Sequence, residues 1–281
     1  MSSDRLASGL VFERWQVSGL GDDVPALMVR PEADGPVPLL LYPHAHGHRY
    51  EVGKEEILQG RPALQDPPLG LALAEAGYAV LSWDAIGFGE RMPPENDPGG
   101  AERAWAKACL WRGFSPWGRM LADGLAVLDA AAGHEAIDSG RTGVVGFSMG
   151  ALAALWLAAL EPRFRVCVEL CCLADIETLI EAGAHDLHAH YFMVPGFLTW
   201  GDSADLCRLV APRAHLVCAG ALDPLTPPAS LRRIEKMMTE VYANVSLAES
   251  WRLLVEPEHG HGETPFQRRT TLDFLKTHLP V

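Results

Sequence analysis

The sequence predicts an α/β fold: a mostly parallel sheet of eight strands, an antiparallel hairpin at the N-terminal edge, and helices on both faces. Three observations predict it. Short apolar runs alternate with longer helical segments, which is the order that βαβ units require. The runs at 37–43 and 78–83 are almost wholly apolar rather than alternating, as strands covered on both faces are. The chain has 281 residues, 48% of them hydrophobic, enough for one large packed core.

The elements follow in order. Residues 10–17 and 24–30 read as two strands, and Gly19-Leu20-Gly21-Asp22-Asp23 between them suits a hairpin turn. The strands at 37–43 and 78–83 flank a helix at 69–76 that Gly77 ends. A polar loop rich in proline and glycine occupies 87–100, and 117–132 is an amphipathic helix. A short strand at 144–147 leads into a buried helix at 151–160, which Glu161-Pro162 stops. Further strands fall at 164–170, 214–220 and 251–256, with helices at 228–242 and 265–278. Residues 173–209 exceed what a crossover helix needs and read as a small cap-like insertion in a single domain spanning 1–281.

Composition excludes several function classes. A net charge of −13 disfavours nucleic acid and anionic membranes as partners. The N-terminus shows no apolar signal-peptide core, and the longest apolar run is about half of the ~20 residues that span a bilayer. A cytoplasmic protein is expected. The six cysteines (Cys109, Cys167, Cys171, Cys172, Cys207 and Cys218) form no C-x-x-C pair, so reduced thiols are expected rather than a disulfide framework or a zinc site. His44, His46 and His48 alternate along one segment, but no nearby cysteine or paired carboxylate completes a zinc pattern, so no metal and no cofactor is expected. Self-association is left open.

The chemistry starts at Gly146-Phe147-Ser148-Met149-Gly150, which matches the G-x-S-x-G nucleophile elbow. A serine hydroxyl needs a pre-aimed position and a base that takes its proton. A sharp strand-to-helix turn supplies the position. The acid that orients the base should follow a later strand. Asp223 does so, although Asp-Pro is also an ordinary turn pair. Asp175, Asp202 and Asp205 are weaker candidates. The base is His259 or His261, both after the last strand, and the Gly-His step directly before a helix start favours His261. An oxyanion hole takes two backbone N–H groups. Met149, after the nucleophile and at a helix N-terminus, is the first. His46, in the loop after the 37–43 strand, is the second, with Ala45 its neighbour.

These segments together resemble a serine-dependent member of the α/β-hydrolase superfamily, near its dienelactone-hydrolase-like and acetyl-xylan-esterase-like branch. His44-Ala45-His46-Gly47 is similar to the family's H-G-x-G loop, with Ala45 where glycine is usual. Asp84-Ala85-Ile86-Gly87-Phe88-Gly89 resembles its D-x-x-G-x-G segment, and Gly260-His261-Gly262-Glu263-Thr264-Pro265 its histidine loop, which again favours His261. The resemblance covers nearly the whole chain and implies an α/β-hydrolase fold with a serine triad. Dienelactone hydrolases use cysteine, whereas this elbow carries Ser148.

The expected function is hydrolysis of a small-molecule carboxylic ester, a short-acyl or acetyl ester of a small molecule or sugar. Ser148, His261 and Asp223 would be the triad, with Met149 and His46 as oxyanion donors. His190, Tyr191 and Trp200 in the cap are candidate pocket residues; cap aromatics equally well pack the cap onto the core. Trp105, Trp111 and Trp117 could close another side. Two other readings stand beside this one: an amidase or peptidase with the same triad, or an inactive hydrolase fold used for binding.

Overall fold

The computed structural model describes residues 2–5, 9–94 and 97–281. The strands are β1 (Ser2–Arg5), β2 (Val11–Ser18), β3 (Asp23–Arg30), β4 (Val37–Leu41), β5 (Ala79–Trp83), β6 (Ile137–Phe147), β7 (Phe164–Leu170), β8 (Ala214–Gly220) and β9 (Trp251–Glu256). The helices are α1 (Glu56–Gln59), α2 (Leu69–Glu75), α3 (Pro98–Trp111), α4 (Pro116–Ala131), α5 (Met149–Leu160), α6 (Ile176–Glu181), α7 (Phe197–Trp200), α8 (Ser203–Val210), α9 (Pro228–Asn244) and α10 (Pro265–His278).

All eight expected strands form, as β2 to β9, and β1 adds a ninth at the edge. The spatial order is β1-β2-β3-β5-β4-β6-β7-β8-β9. The β2–β3 hairpin and the β3–β5 pair are antiparallel, and every pair from β5 to β9 is parallel. Two apolar layers sandwich the sheet, one including Trp15, Leu39, Trp117 and Leu155, the other including Leu40, Tyr42, Val145 and Leu216. Alternate residues of β4 and β8 therefore serve opposite layers, the period-2 geometry of a strand covered on both faces.

This order positions the site. From β4 the chain crosses one way to β5, then back over β4 to β6 on its other side. Such a reversal opens a crevice at the carboxyl ends of the flanking strands. The loops after β4 and β6 meet there, and they carry His46 and Ser148.

Two elements differ from expectation. The 87–100 segment is not all loop: α3 begins inside it, with Asp97 as N-cap accepting from Gly100 N at 2.9 Å and Pro98 in the first turn. Gly99 and Gly100 dilute the helical pattern, yet an Asp–Pro step is a helix-start signal. β6 starts at Ile137 rather than 144, because Ile137 and Asp138 already pair with Val37 and Pro38 of β4, and an irregularity at Pro38/Leu39 lets the ladder resume at Thr142. Between β7 and β8 lie α6, α7 and α8. α8 is capped by Asp202 with Asp205 in a reciprocal box. Asp175 takes Arg233 Nη2 at 2.6 Å and Ala204 N at 3.2 Å, which ties this segment to α9. Those contacts make structural residues of the three weaker acid candidates. Among the described residues no helix is long and apolar enough to cross a membrane.

Candidate active site

Ser148 occupies the turn between β6 and α5 with φ 58° and ψ −121°, a conformation that a non-glycine residue holds only when its surroundings enforce it. Two hydrogen bonds do so: Ser148 N donates to Leu170 O at 2.9 Å, and Leu152 N donates to Ser148 O at 3.1 Å. The turn packs against the β4 loop so closely that a Cβ on Gly150 would lie 2.0 Å from Pro43 O. Only glycine fits.

Ser148 Oγ lies 3.0 Å from His261 Nε2, and His261 Nδ1 lies 2.7 Å from Asp223 Oδ2. Asp223 is buried, and its other oxygen accepts from Leu225 N at 2.9 Å. The acceptor carboxylate on Nδ1 leaves Nε2 free to accept from the serine hydroxyl. Asp223 and His261 meet because the loop after β9 seats directly on Gly220, where a Cβ would stand 2.2 Å from His259 O. Glu263 anchors that loop, accepting from Gln65 N at 3.0 Å and from Arg268 Nη2 at 2.6 Å. The competing His259 points elsewhere, with Nε2 at 2.9 Å from Gly262 O.

Met149 is the first residue of α5, so its N–H has no intrahelical acceptor. In the β4 loop, Ala45 N is taken: it donates to Glu56 Oε2 at 3.0 Å. His46 N is the next donor along, with no acceptor among the described residues. Glu56 also accepts from Tyr42 Oη at 2.9 Å and from Arg61 Nε, and Arg61 Nη1 and Nη2 donate to His46 O and Ala45 O at 3.1 and 2.5 Å. Ala45 stands where a glycine was expected, and this buried carboxylate–guanidinium pair holds its backbone.

The side chains of two of the three alternating histidines have separate partners. His44 Nδ1 donates to Ala45 O at 2.9 Å and its Nε2 accepts from Ala85 N at 3.1 Å. Burial pushes its pKa down to about 4. His46 Nδ1 accepts from His48 N at 3.1 Å, which assigns the ring proton to Nε2, 2.8 Å from Glu102 Oε2. With both ring nitrogens of His44 and of His46 engaged, these side chains offer no metal set.

Glu102, on α3, was not singled out by the sequence. It also accepts from Tyr50 Oη at 2.8 Å and Tyr191 N at 3.1 Å. Burial opposes its ionisation, but the hydrogen bonds from His46, Tyr50 and Tyr191 outweigh it and hold the pKa below the usual carboxylate value. Cys172 is the second omission. It lies just past β7 and, like Cys171, has a positive φ; its Sγ lies 3.7 Å from Ser148 Oγ. All six cysteines are buried and unpaired.

The candidate pocket residues divide. A cavity of about 1020 Å³ between α3 and the β7–β8 segment is lined by His190, together with His188 and Phe192. Tyr191 is buried instead, stacked on His46 with centroids 5.4 Å apart. Trp200 is 58% exposed and stacks on Phe197, outside the cavity wall. Trp117 is core, Trp105 packs against the core, and Trp111 is exposed.

Residues 20–207 match the family described as Peptidase_S15, X-Pro dipeptidyl-peptidase (S15 family). A Bacillus subtilis (strain 168) protein named "Putative hydrolase YtaP" is 37% identical over 259 residues, covering 92% of this chain and 84% of that protein. The crystal structure of a putative acetyl xylan esterase from Bacteroides fragilis superposes with a TM-score of 0.72 at 18% identity, covering 92% of this chain and 69% of that one. A glucuronoyl esterase from Solibacter usitatus superposes with a TM-score of 0.68 at 15% identity, covering 99% and 84%. The fold is that of the α/β-hydrolases, the protein is a hydrolase, and the chain belongs to the S15 family of that clan.

Proposed function

We propose that this protein is a cytoplasmic serine esterase that cleaves a small-molecule carboxylic ester through an acyl-enzyme. The observation that carries the reading is the relay from Ser148 Oγ through His261 to Asp223, at 3.0 and 2.7 Å. His261 Nε2 takes the hydroxyl proton as Ser148 Oγ attacks the carbonyl carbon. Asp223 holds the Nδ1–H tautomer and stabilises the imidazolium. The Met149 and His46 N–H groups receive the developing oxyanion, where one donor is worth about 10²–10³-fold in rate. His261 then protonates the departing alkoxide. Water, activated by the same imidazole, attacks the acyl-enzyme and releases the acid. The Cys172 thiol crowds the nucleophile and favours a short acyl group, acetyl included. Esterase names among the structural neighbours support the bond type, and six unpaired cysteines support a reducing compartment.

The S15 description favours a second reading, cleavage of an amide by the same relay. One experiment decides. Wild type and Ser148→Ala are compared on p-nitrophenyl acetate and the matched acetanilide, with fluorophosphonate labelling in parallel. The esterase reading expects ester turnover well above amide turnover, with turnover and labelling abolished in Ser148→Ala. Amide preference would establish the second reading. A folded wild type that neither labels nor turns over either substrate would leave a binding protein.

A further inference from the structure

We propose that Cys167, Glu169 and His215 form a buried structural site for a divalent cation that accepts sulfur, nitrogen and oxygen donors, zinc first among them. The site shares no residue with the Ser148–His261–Asp223 relay and does not depend on the esterase reading.

The strands make the cluster. Cys167 and Glu169 alternate on β7, so both side chains leave the same face of the sheet. β8 runs parallel beside it, with His215 in register with Cys167. The sulfur, one Glu169 oxygen and one His215 ring nitrogen lie within 4.8 Å of one another, and all three residues are fully buried. No local spacing announces the group: Cys-x-Glu is not a zinc pattern, and His215 stands 46 residues beyond Glu169.

Two unmet atoms point to an occupant. Glu169 Oε1 and His215 Nε2 are 2.5 Å apart. The other atom of each side chain, Glu169 Oε2 and His215 Nδ1, is buried without a hydrogen-bond partner among the described residues. Each has lost water and gained nothing in return, which a packed core rarely tolerates at even one atom. With the Nε2 proton donated to Oε1, both open atoms present lone pairs, and what such lone pairs lack is a cation or a proton donor. The neighbouring Trp251 does not supply one: its ring stands edge-on to His215 at 5.0 Å, and its N–H goes to Glu235 at 3.0 Å.

Charge selects the ion. Cys167 as thiolate and Glu169 as carboxylate carry two negative charges, and His215 ligates as a neutral ring. A divalent cation cancels them, so the complex sits in the apolar core with no net charge, where a lone carboxylate is costly. Thiolate with imidazole and carboxylate is a zinc donor set, whereas calcium and magnesium take oxygen donors. A carboxylate can bind through both oxygens, which brings the donors to four. Because the site is sealed, the ion is captured as the chain folds. It ties β7, whose Leu170 O accepts from Ser148 N, to β8, which leads to Asp223, and it never touches substrate.

The test reads metal content and thermal stability of the untagged full chain, produced in media supplemented with zinc, supplemented with cobalt, or depleted of both. Zinc-grown protein freed of excess metal should hold about one zinc per chain by elemental analysis. Its thermal midpoint should exceed that of metal-depleted protein by at least about 4 °C. Cobalt-grown protein should show the near-ultraviolet charge-transfer band of a thiolate–cobalt bond. Cys167→Ala should lower bound zinc by at least about tenfold and abolish the band and the midpoint difference. Should it not fold, His215→Gln carries the same test on metal content and midpoint; should neither fold, the wild-type zinc count, the cobalt band and His261→Ala decide. His261→Ala breaks the other cysteine–histidine–carboxylate cluster, Cys171 with Asp223 and His261, and should keep the metal. Less than about 0.1 zinc per chain in zinc-grown wild type overturns the site. So does zinc that survives Cys167→Ala, or that is lost in His261→Ala.

Discussion

Removing Glu102 should damage stability and activity together. Its carboxylate accepts three buried hydrogen bonds, from His46 Nε2, Tyr50 Oη and Tyr191 N. In Glu102→Ala all three donors lose their acceptor. Hydrogen bonds to a charged group contribute about 1.5–3 kcal/mol each, so the ceiling is about 4.5–9 kcal/mol. Water entering from the adjoining cavity can rehydrate the Tyr50 hydroxyl, which brings the expected loss to about 3–5 kcal/mol. Freed from Glu102, the His46 ring no longer fixes the loop whose N–H is the proposed oxyanion donor, and kcat/KM on p-nitrophenyl acetate should fall by up to about 10²–10³-fold. Glu102→Gln can keep its amide oxygen toward His46 and Tyr50, but then turns an N–H₂ on Tyr191 N. One donor is left facing a donor, at about 1–3 kcal/mol. The expected order is therefore wild type, then Gln, then Ala, in both urea midpoint and activity. Even where Glu102→Ala unfolds, Glu102→Gln keeps the test open. A Gln variant with wild-type midpoint and an Ala variant within twofold of wild-type activity would refute the reasoning.

Asp223→Asn should retain the fold and lower kcat by about 10⁴-fold, because an amide no longer enforces the Nδ1–H tautomer; single-turnover rates on p-nitrophenyl acetate check it. Gly150→Ala sets a Cβ 2.0 Å from the Pro43 carbonyl oxygen, where neither backbone can yield; a loss of at least about 2 kcal/mol should appear as a lower midpoint in thermal unfolding, and an unchanged midpoint would contradict the packing. His44 gives acid sensitivity of known sign. Its folded pKa of about 4 lies below the unfolded 6.5, so between those values the unfolded chain binds the extra proton. The stabilisation is complete above pH 6.5 and is lost as pH falls toward 4, by about 3 kcal/mol at 1.36 kcal/mol per unit. Urea midpoints at pH 7 and pH 4 measure it, and a flat profile would count against a neutral His44.

Much of this was legible in the sequence, for a local reason. The G-x-S-x-G segment is a strand, a turn and a helix in consecutive residues, so the proposed nucleophile Ser148 and the proposed first oxyanion donor Met149 are written in one short segment. Thr264-Pro265 marks the start of α10 because an N-cap and a first-turn proline are neighbours in the chain. What could not be read is distant pairing. Glu102 is one acidic residue on a helix hidden by Gly99 and Gly100, and its role exists only because α3 brings it to His46, 56 residues away. The Glu56–Arg61 pair gives no sign that it clamps Ala45 until the chain folds over it.

The sequence by itself determined the order of the elements, the elbow, and a short set of acids and bases that follow strands. Local propensity, turn chemistry and strand period carry those, and each acts over a few residues. Only the tertiary structure decided which candidates meet. His261 rather than His259 faces Ser148, because the loop after β9 seats on Gly220 and is anchored by Glu263. Asp175, Asp202 and Asp205 became structural residues of the β7–β8 segment. Tyr191 went into the core and Trp200 outward, while His188 reached the cavity wall. Those outcomes depend on packing between elements far apart in the chain, and no local signal encodes that packing.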